Sequence, residues 1–186
     1  MQPYFFPYLG YYQLVSSCDK FIFFDDVNFI KKGWINRNNI SFNGRPFLFT
    51  VPLVKASQNK KINETYLSID EKWINDFMKK IEQAYKKAPY FSNISSLLMS
   101  VLNKKNALTT IADLAISSIE STFKYLEVDV NFERSSKIAY DRNGNGQDKI
   151  ISICHKEGAL KYINASNGRE LYQPELFKKN GVKLFF

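Results

Sequence analysis

Apolar residues in this chain change their period twice, and that switch limits the folds open to it. In the middle, Trp73, Phe77, Ile81 and Tyr85 recur at four-residue spacing, with Asp76, Lys79, Lys80 and Glu82 on the opposite face. That is the pattern of an amphipathic helix. Pro89 can open a second helix carrying Ile94, Leu97, Leu98, Val101 and Leu102 on one side, and Asn106 can cap a third with Leu108, Ile111, Ala115, Ile119 and Phe123. On either side the runs are short and β-favouring. After the Pro3 to Pro7 loop, Leu9 to Ser17 predicts a short helix and Lys20 to Phe24 (KFIFF) a strand that stops at Asp25-Asp26. Asn38 to Phe42 and Pro46 to Val51 flank Asn43-Gly44, a pair at ease at positive φ and suited to a hairpin turn, and Tyr66 to Ile69 offers a further strand. The last third alternates again: strand Val128 to Phe132, a turn at Asn143 to Gly146, helix Asp148 to Lys156, strand Lys161 to Ile163, helix Gln173 to Lys179 and strand Val182 to Phe186. Strands alternating with helices at both ends predict an α/β layered domain with a partly parallel sheet, a β-hairpin, and residues 71–126 as an inserted helical segment.

A length of 186 residues suits one domain, 1–186, better than two independent cores. The 45% hydrophobic and 24% charged fractions place the chain outside the disordered regime. The net charge of +8 biases its surface toward anions such as phosphates, nucleotides, nucleic acid or acidic headgroups. Lys far outnumbers Arg, so much of this charge is diffuse field, and only the few Arg residues supply a planar bidentate fork. No run reaches the ~18 apolar residues of a membrane-spanning helix. The first residues lack a basic leader and are broken by two prolines, which points to a cytoplasmic protein. Cys18 and Cys154 have no CxxC spacing and read as small buried hydrophobes. With His155, the single histidine, they fall short of a four-ligand zinc site, so no metal is expected. The sequence holds no Ser-His-Asp, HExxH, Walker A or GxGxxG pattern and names no cofactor.

Chemistry is sought where polar, glycine and aromatic residues interleave without a regular period. The first such run is Gln2 to Tyr12 (QPYFFPYLGYY), with Gln2, Tyr4, Pro7, Gly10 and Tyr11 as candidate binding residues. A helix opening at Gly10 has unpaired N–H groups and a dipole that suit a phosphate, and glycine permits its close approach. The second run is Asp25 to Asn38 (DDVNFIKKGWINRN), directly after the first strand. Ligands bind outside the carboxyl ends of parallel strands, so both runs are expected at one mouth. Asp25 or Asp26 can hold a ribose, a sugar hydroxyl, an amine or a metal. Lys31 and Arg37 can hold phosphate, Arg37 with bidentate geometry. Trp34 offers a flat face, and Asn28, Asn36 and Asn38 offer mixed donors and acceptors. The same residues also read as a capping turn with Trp34 as a core anchor. Gln58 and Asn59, in the polar stretch Ala56 to Lys61, are further candidates beside a reading as solvated loop. His155 reads as a capping or surface residue.

The segments MQPYFFPYLGYYQL, DKFIFFDDVNFIKKGWINRNNI, FTVPL with ASQNKKINE, and KYINASNGRELYQPELFKKNGVKLFF resemble the WbqC-like protein family over nearly the whole chain. The resemblance implies a bacterial protein of O-antigen or other surface-polysaccharide biosynthesis, working on an activated or amino sugar. Relatives usually carry a few apolar residues before the Gln-Pro motif as a first strand, whereas this chain starts at Met1, so that strand lies upstream or is missing. A fainter likeness to the HxGH-type nucleotidylyltransferases implies a Rossmann-like fold, with Gln2 where their first His stands and Gly10-Tyr11 where their Gly-His stands. Both imidazoles that steady the transferring phosphates are absent here.

These readings converge on an enzyme acting on a nucleotide- or lipid-linked amino sugar, by acyl or aminoacyl transfer. Asp25, Asp26, Lys31 and Arg37 carry the chemistry in this reading, and the partner is a phosphate-bearing small molecule, either a nucleotide sugar or an activated acyl donor. The alternative is a noncatalytic binder or scaffold of the same pathway, as a homo-oligomer or docked on another enzyme. Nucleic-acid binding has only the net charge and the aromatics behind it, with no Arg-rich stripe or motif, so no specific nucleic acid is expected.

Overall fold

The structure, a computed structural model, describes residues 1–106 and 109–186. In chain order the elements are α1 (Leu9–Ser16), β1 (Phe21–Phe23), β2 (Arg37–Phe42), β3 (Arg45–Thr50), α2 (Glu71–Tyr85), α3 (Phe91–Leu102), α4 (Ile111–Tyr125), β4 (Phe132–Arg134), α5 (Gly146–Lys156), β5 (Lys161–Ile163), α6 (Pro174–Lys179) and β6 (Lys183–Phe185), with short 3-10 turns between them. The chain is therefore mixed α/β. It forms two compact units, one of Met1, Tyr8–Phe24 and Val130–Phe186, the other of Gln2–Pro7 and Asp25–Asp129.

The first unit holds the parallel pairs. β1 pairs with β4 in the register Phe21↔Phe132 to Phe23↔Arg134, and β5 pairs with β6, Lys161↔Lys183 to Ile163↔Phe185. Parallel neighbours need a crossover, and α6 supplies it between β5 and β6. Met1 adds a parallel rung to β1: its amino group donates to the Ile22 carbonyl at 2.7 Å, and its carbonyl accepts from Phe24 N–H at 2.8 Å. Alternate residues of β1 face the core, so Phe21 and Phe23 are buried, with Phe23 stacked on Phe132 at 5.2 Å and Tyr11 of α1 5.5 Å from Phe21. α5 turns Ile150, Ile151 and Cys154 onto Phe177 and Val182, and Phe177 stacks on Tyr162 at 5.7 Å. α5 begins two residues before the expected Asp148 because Asn145 caps it. The Asn145 side chain accepts from Gln147 N–H, and Asp148 accepts the Asn145 N–H in return at 2.9 Å.

The second unit is built on the predicted hairpin and helical middle. β2 and β3 pair antiparallel around Asn43 and Gly44, both at positive φ (50° and 73°), the geometry of a type I′ turn. Phe77 and Ile81 of α2, Leu98, Val101 and Leu102 of α3, and Ile111, Leu114 and Ala115 of α4 share one core with Phe5, Ile35, Val51 and Ile62. Trp73 stacks on Phe77 at 5.1 Å, which uses the first residue of the predicted stripe as packing.

Three expectations shift. The third helix starts at Ile111, capped by Thr110 and Asp113 in a reciprocal box, rather than at Asn106; Leu108, expected on that helix, lies outside the described residues. The strand expected over Val128 to Phe132 begins only at Phe132, because the end of α4 consumes the residues before it. Glu127 takes the left-handed conformation (φ 56°), Val128 N–H returns to the Phe123 carbonyl at 3.1 Å and Glu127 N–H to Lys124 at 3.2 Å. α5 and α6 close in the same way with Gly158 and Gly181. Tyr66 to Ile69 pairs on both sides only through single bridges, Leu53↔Leu67 and Tyr66↔Thr110, since Pro52 has no N–H to extend a ladder.

Glu127 is exposed and sits where glycine is favoured, so Glu127→Gly is expected to stabilise the chain by about 0.5–1 kcal/mol, read as a Tm rise of about 1–4 °C.

Burial pushes the Cys154 thiol up to about 11, raises Cys18, and holds the Tyr162 phenol well above its ordinary value. These groups resist ionisation in the folded chain and ionise at ordinary values once unfolded. The Cys154 contribution is whole below the ordinary thiol range and is lost as pH rises toward about 11, while that of Tyr162 is lost only as pH rises through its raised value. Denaturation midpoints measured upward from pH 9 are therefore expected to fall, with a shallower fall in Cys154→Ala.

Candidate functional site

The 25–38 run has no strand of its own before β2, so its backbone groups must find partners elsewhere. They find them in the 60–63 segment. Phe29 N–H donates to the Lys60 carbonyl at 2.8 Å, Ile62 N–H to Val27 at 2.9 Å and Asn63 N–H to Asp25 at 3.0 Å, with Asn28 bridged to Lys61. This pairing brings the two polar runs of the second unit side by side. Asn28, Lys31, Lys32, Gln58 and Asn59 are exposed there. Ile30 and Gly33 close a turn with Lys32 at φ 59°, which keeps Lys31 and Lys32 outward.

Trp34 lies half-exposed at 50%, so it is a surface platform and not a core anchor. Arg37 stands beside it, its guanidinium carbon 6.0 Å from the ring centroid, and donates from Nε to the Gly33 carbonyl at 3.0 Å. Its two terminal nitrogens have no partner among the described residues. A guanidinium fixed at Nε holds its outer N–H donors in one plane with restricted freedom.

The flanking asparagines serve the backbone. Asn36 is buried and donates to the Val51 carbonyl at 2.8 Å, tying the start of β2 to the end of β3. Asn38 donates to the Phe6 carbonyl at 2.5 Å while its oxygen accepts from Asn39 N–H at 2.7 Å. Phe6 itself has φ 43°, a left-handed conformation that costs an aromatic residue about 1–2 kcal/mol. Asn38 on one side and Ser118 on the other, its Oγ accepting Phe6 N–H at 3.0 Å, hold it there. Phe5 N–H reaches the Ile35 carbonyl at 3.1 Å. Thus the front part of the first run, Gln2 to Pro7, joins the second run within one unit. Gln2 and Tyr4 are half-buried, Tyr4 against the core, and Pro7 is buried.

Asp25 is fully buried and Asp26 7% exposed. Gly10 and Tyr11 belong to the first unit. Tyr11 is fully buried, and a Cβ on Gly10 would sit 2.7 Å from the ring of Tyr8, so the glycine makes room for that ring.

The sequence reading passed over Asn63 and Ser118. Ser118 lay inside a helical stripe with no signal to mark it. The Asn63 Oδ1 is buried and accepts no hydrogen bond from the described residues. Its place in the Lys-Ile-Asn-Glu turn gave no warning. His155 donates from Nε2 to the Asn180 carbonyl at 2.8 Å, closing the end of α6, and lines an open hollow of about 210 Å³ in the first unit with Asp141, Asp148 and Ser152. Among the described residues no group of His, Cys, Asp and Glu is placed to hold a metal, and no helix is long and apolar enough to cross a membrane.

Comparison with known proteins follows the same residues. The chain is similar to the uncharacterized protein Rv1507c of Mycobacterium tuberculosis (strain ATCC 25618 / H37Rv), at 23% identity over 185 residues, covering 99% of this chain and 78% of that protein. No solved structure matches. The model of the WbqC-like protein family matches residues 2–186, through both units and every motif described above. The chain belongs to the WbqC-like protein family.

Proposed function

We propose that the chain acts in surface-glycan biosynthesis on an amino sugar linked to a nucleotide or lipid diphosphate, and that it transfers an acyl or aminoacyl group to the sugar nitrogen. The observation that carries this reading is Arg37, locked at Nε beside the exposed ring of Trp34 with its outer nitrogens unpaired. In this reading Arg37 grips the diphosphate, Trp34 takes the flat face of a base or sugar, and Lys31 adds positive field from the adjoining turn. Asn28, Gln58 and Asn59 border the same pairing and orient hydroxyls. Asp26 retains some exposure and is the carboxylate of its pair assigned to the sugar amine. The amine nitrogen would attack the carbonyl carbon of an activated acyl donor. A C–N bond forms, the bond to the donor's leaving group breaks with its electron pair, and the amine proton passes to the carboxylate. The parallel pairs β1–β4 and β5–β6, with α6 as crossover, support a Rossmann-like plan for the first unit.

Thermal shift with UDP-glucosamine tests the binding half. The wild-type Tm is expected to rise with ligand concentration, and Arg37→Ala to lose about tenfold or more in affinity while Arg37→Lys recovers only part, because lysine keeps the charge without the fork. No shift at millimolar ligand overturns the reading. Mass spectrometry of the sugar after incubation with acyl thioesters tests the transfer half; binding without any mass change would assign the chain to precursor binding instead.

A further inference from the structure

The hairpin lies along α2, and three contacts fix the direction in which it runs. Phe49 meets Phe77 at 4.8 Å between ring centroids, the Lys80 ammonium stands 4.4 Å from the centre of the Phe47 ring, and Ser41 N–H donates to the Tyr85 hydroxyl at 2.7 Å. Passing along β3 from Thr50 to Arg45 therefore follows α2 toward its last residue. The hairpin turn, Phe42 to Arg45, is carried in this way to the corner between α2 and α3, residues 86–90, at the opposite end of the ladder from Arg37. The corner itself is tightly bonded: Lys86 N–H returns to the Glu82 carbonyl at 2.9 Å, Ala88 N–H to Tyr85 at 2.7 Å and Phe91 N–H to Ala88 at 3.1 Å.

Two kinds of side chain collect there. Arg45, Lys79, Lys80, Lys86 and Lys87 are all exposed, and within residues 41–50 and 79–90 the only carboxylate is Glu82. None of these cations is in a salt bridge among the described residues. Beside Lys86 and Lys87 the ring of Tyr90 is 69% exposed. Ile94, whose N–H bonds to the Tyr90 carbonyl at 3.0 Å, lies one turn on along the same face and is 40% exposed. A lysine closing a helix offsets the helix dipole, which accounts for Lys86. It accounts neither for Arg45, brought in from a separate strand, nor for an uncovered aromatic ring among the cations.

Lysine ammonium groups carry no planar fork, so a patch built mainly of them suits a diffuse anionic surface better than one shaped anion. Tyrosine sits well at a lipid–water boundary, its ring in the apolar layer and its hydroxyl hydrated. An isoleucine beside it gains from contact with acyl chains and gives nothing to base stacking, which a nucleic-acid surface would use. We propose that the hairpin turn and residues 86–94 form a membrane-docking surface, its cations held by acidic phospholipid headgroups while Tyr90 and Ile94 enter the interface. Each cation adds about fivefold to such an attachment, and salt screens it.

Sedimentation of the full chain with vesicles tests this, with no sugar or acyl donor present. Wild-type chain is expected to pellet with phosphatidylcholine vesicles holding about a third phosphatidylglycerol, to stay in solution with pure phosphatidylcholine, and to be released as NaCl rises from about 0.05 to about 0.5 M. The triple variant Arg45→Gln, Lys86→Gln, Lys87→Gln is expected to bind acidic vesicles about tenfold more weakly or worse. Lys178→Gln, Lys179→Gln, Lys183→Gln removes the same charge from exposed positions elsewhere and is expected to lose less than about threefold. Tyr90→Ser takes the ring from a helix N-cap position that serine favours, so its Tm is expected not to fall while vesicle binding drops severalfold. Wild-type chain that stays in solution with acidic vesicles overturns the proposal. So does equal loss in the two triple variants, which would reduce the effect to net charge, or a Tyr90→Ser variant that binds as wild type does. Tighter binding to duplex DNA than to acidic vesicles, lost in the first triple variant, assigns the corner to nucleic acid and overturns it as well. Each of these results leaves the reading of Arg37 standing.

Discussion

Irregular backbone cannot be buried unless each of its N–H and C=O groups meets a partner, and the second unit is organised around that demand. Its opening hexapeptide and the stretch after β1 are too rich in proline, glycine and adjacent aromatics to run as helix or ladder. They are satisfied instead by distant segments: Phe5 by Ile35, Phe6 by Ser118 and Asn38, and Phe29 by Lys60. Once those bonds are made, the aromatic rings have fixed places, with Phe5 edge-on to Phe6 at 4.9 Å and to Phe49 at 6.2 Å. The same bonds align the charged loops that border them.

Charge is distributed in keeping with this. The Lys excess lies largely on exposed turns and helix faces, where it supplies a screened general field. Arg37 differs because its backbone anchor and its ring neighbour remove the freedom a surface lysine retains.

Much of the secondary structure was legible because it rests on local chemistry. The stripe through Trp73, Phe77 and Ile81 gave α2, Asn43-Gly44 gave the hairpin, and KFIFF gave β1. What eluded the sequence was non-local or atypical. α4 stops on Glu127, where only a glycine would have advertised a left-handed stop, and so the following strand was drawn too early. Asn36 and Asn38 look alike in sequence to ligand-orienting groups, yet their amides are spent on carbonyls of Val51 and Phe6. The antiparallel pairing of the 25–29 and 60–63 segments carries no periodic signal at all, and Asn63 becomes notable only when the lack of a partner is seen atom by atom.

The threading of the chain also orders its synthesis. All parts of the second unit have left the ribosome once Asp129 has emerged, so that unit can consolidate early. β1 must wait for its ladder partner, because β4 comes only at Phe132–Arg134 and brings with it Phe132, the ring that stacks on Phe23. During that interval Phe21 and Phe23 form a short, sticky strand with only Met1 and α1 beside it. A nascent chain of this design is most in need of a chaperone's shelter just before its C-terminal third arrives.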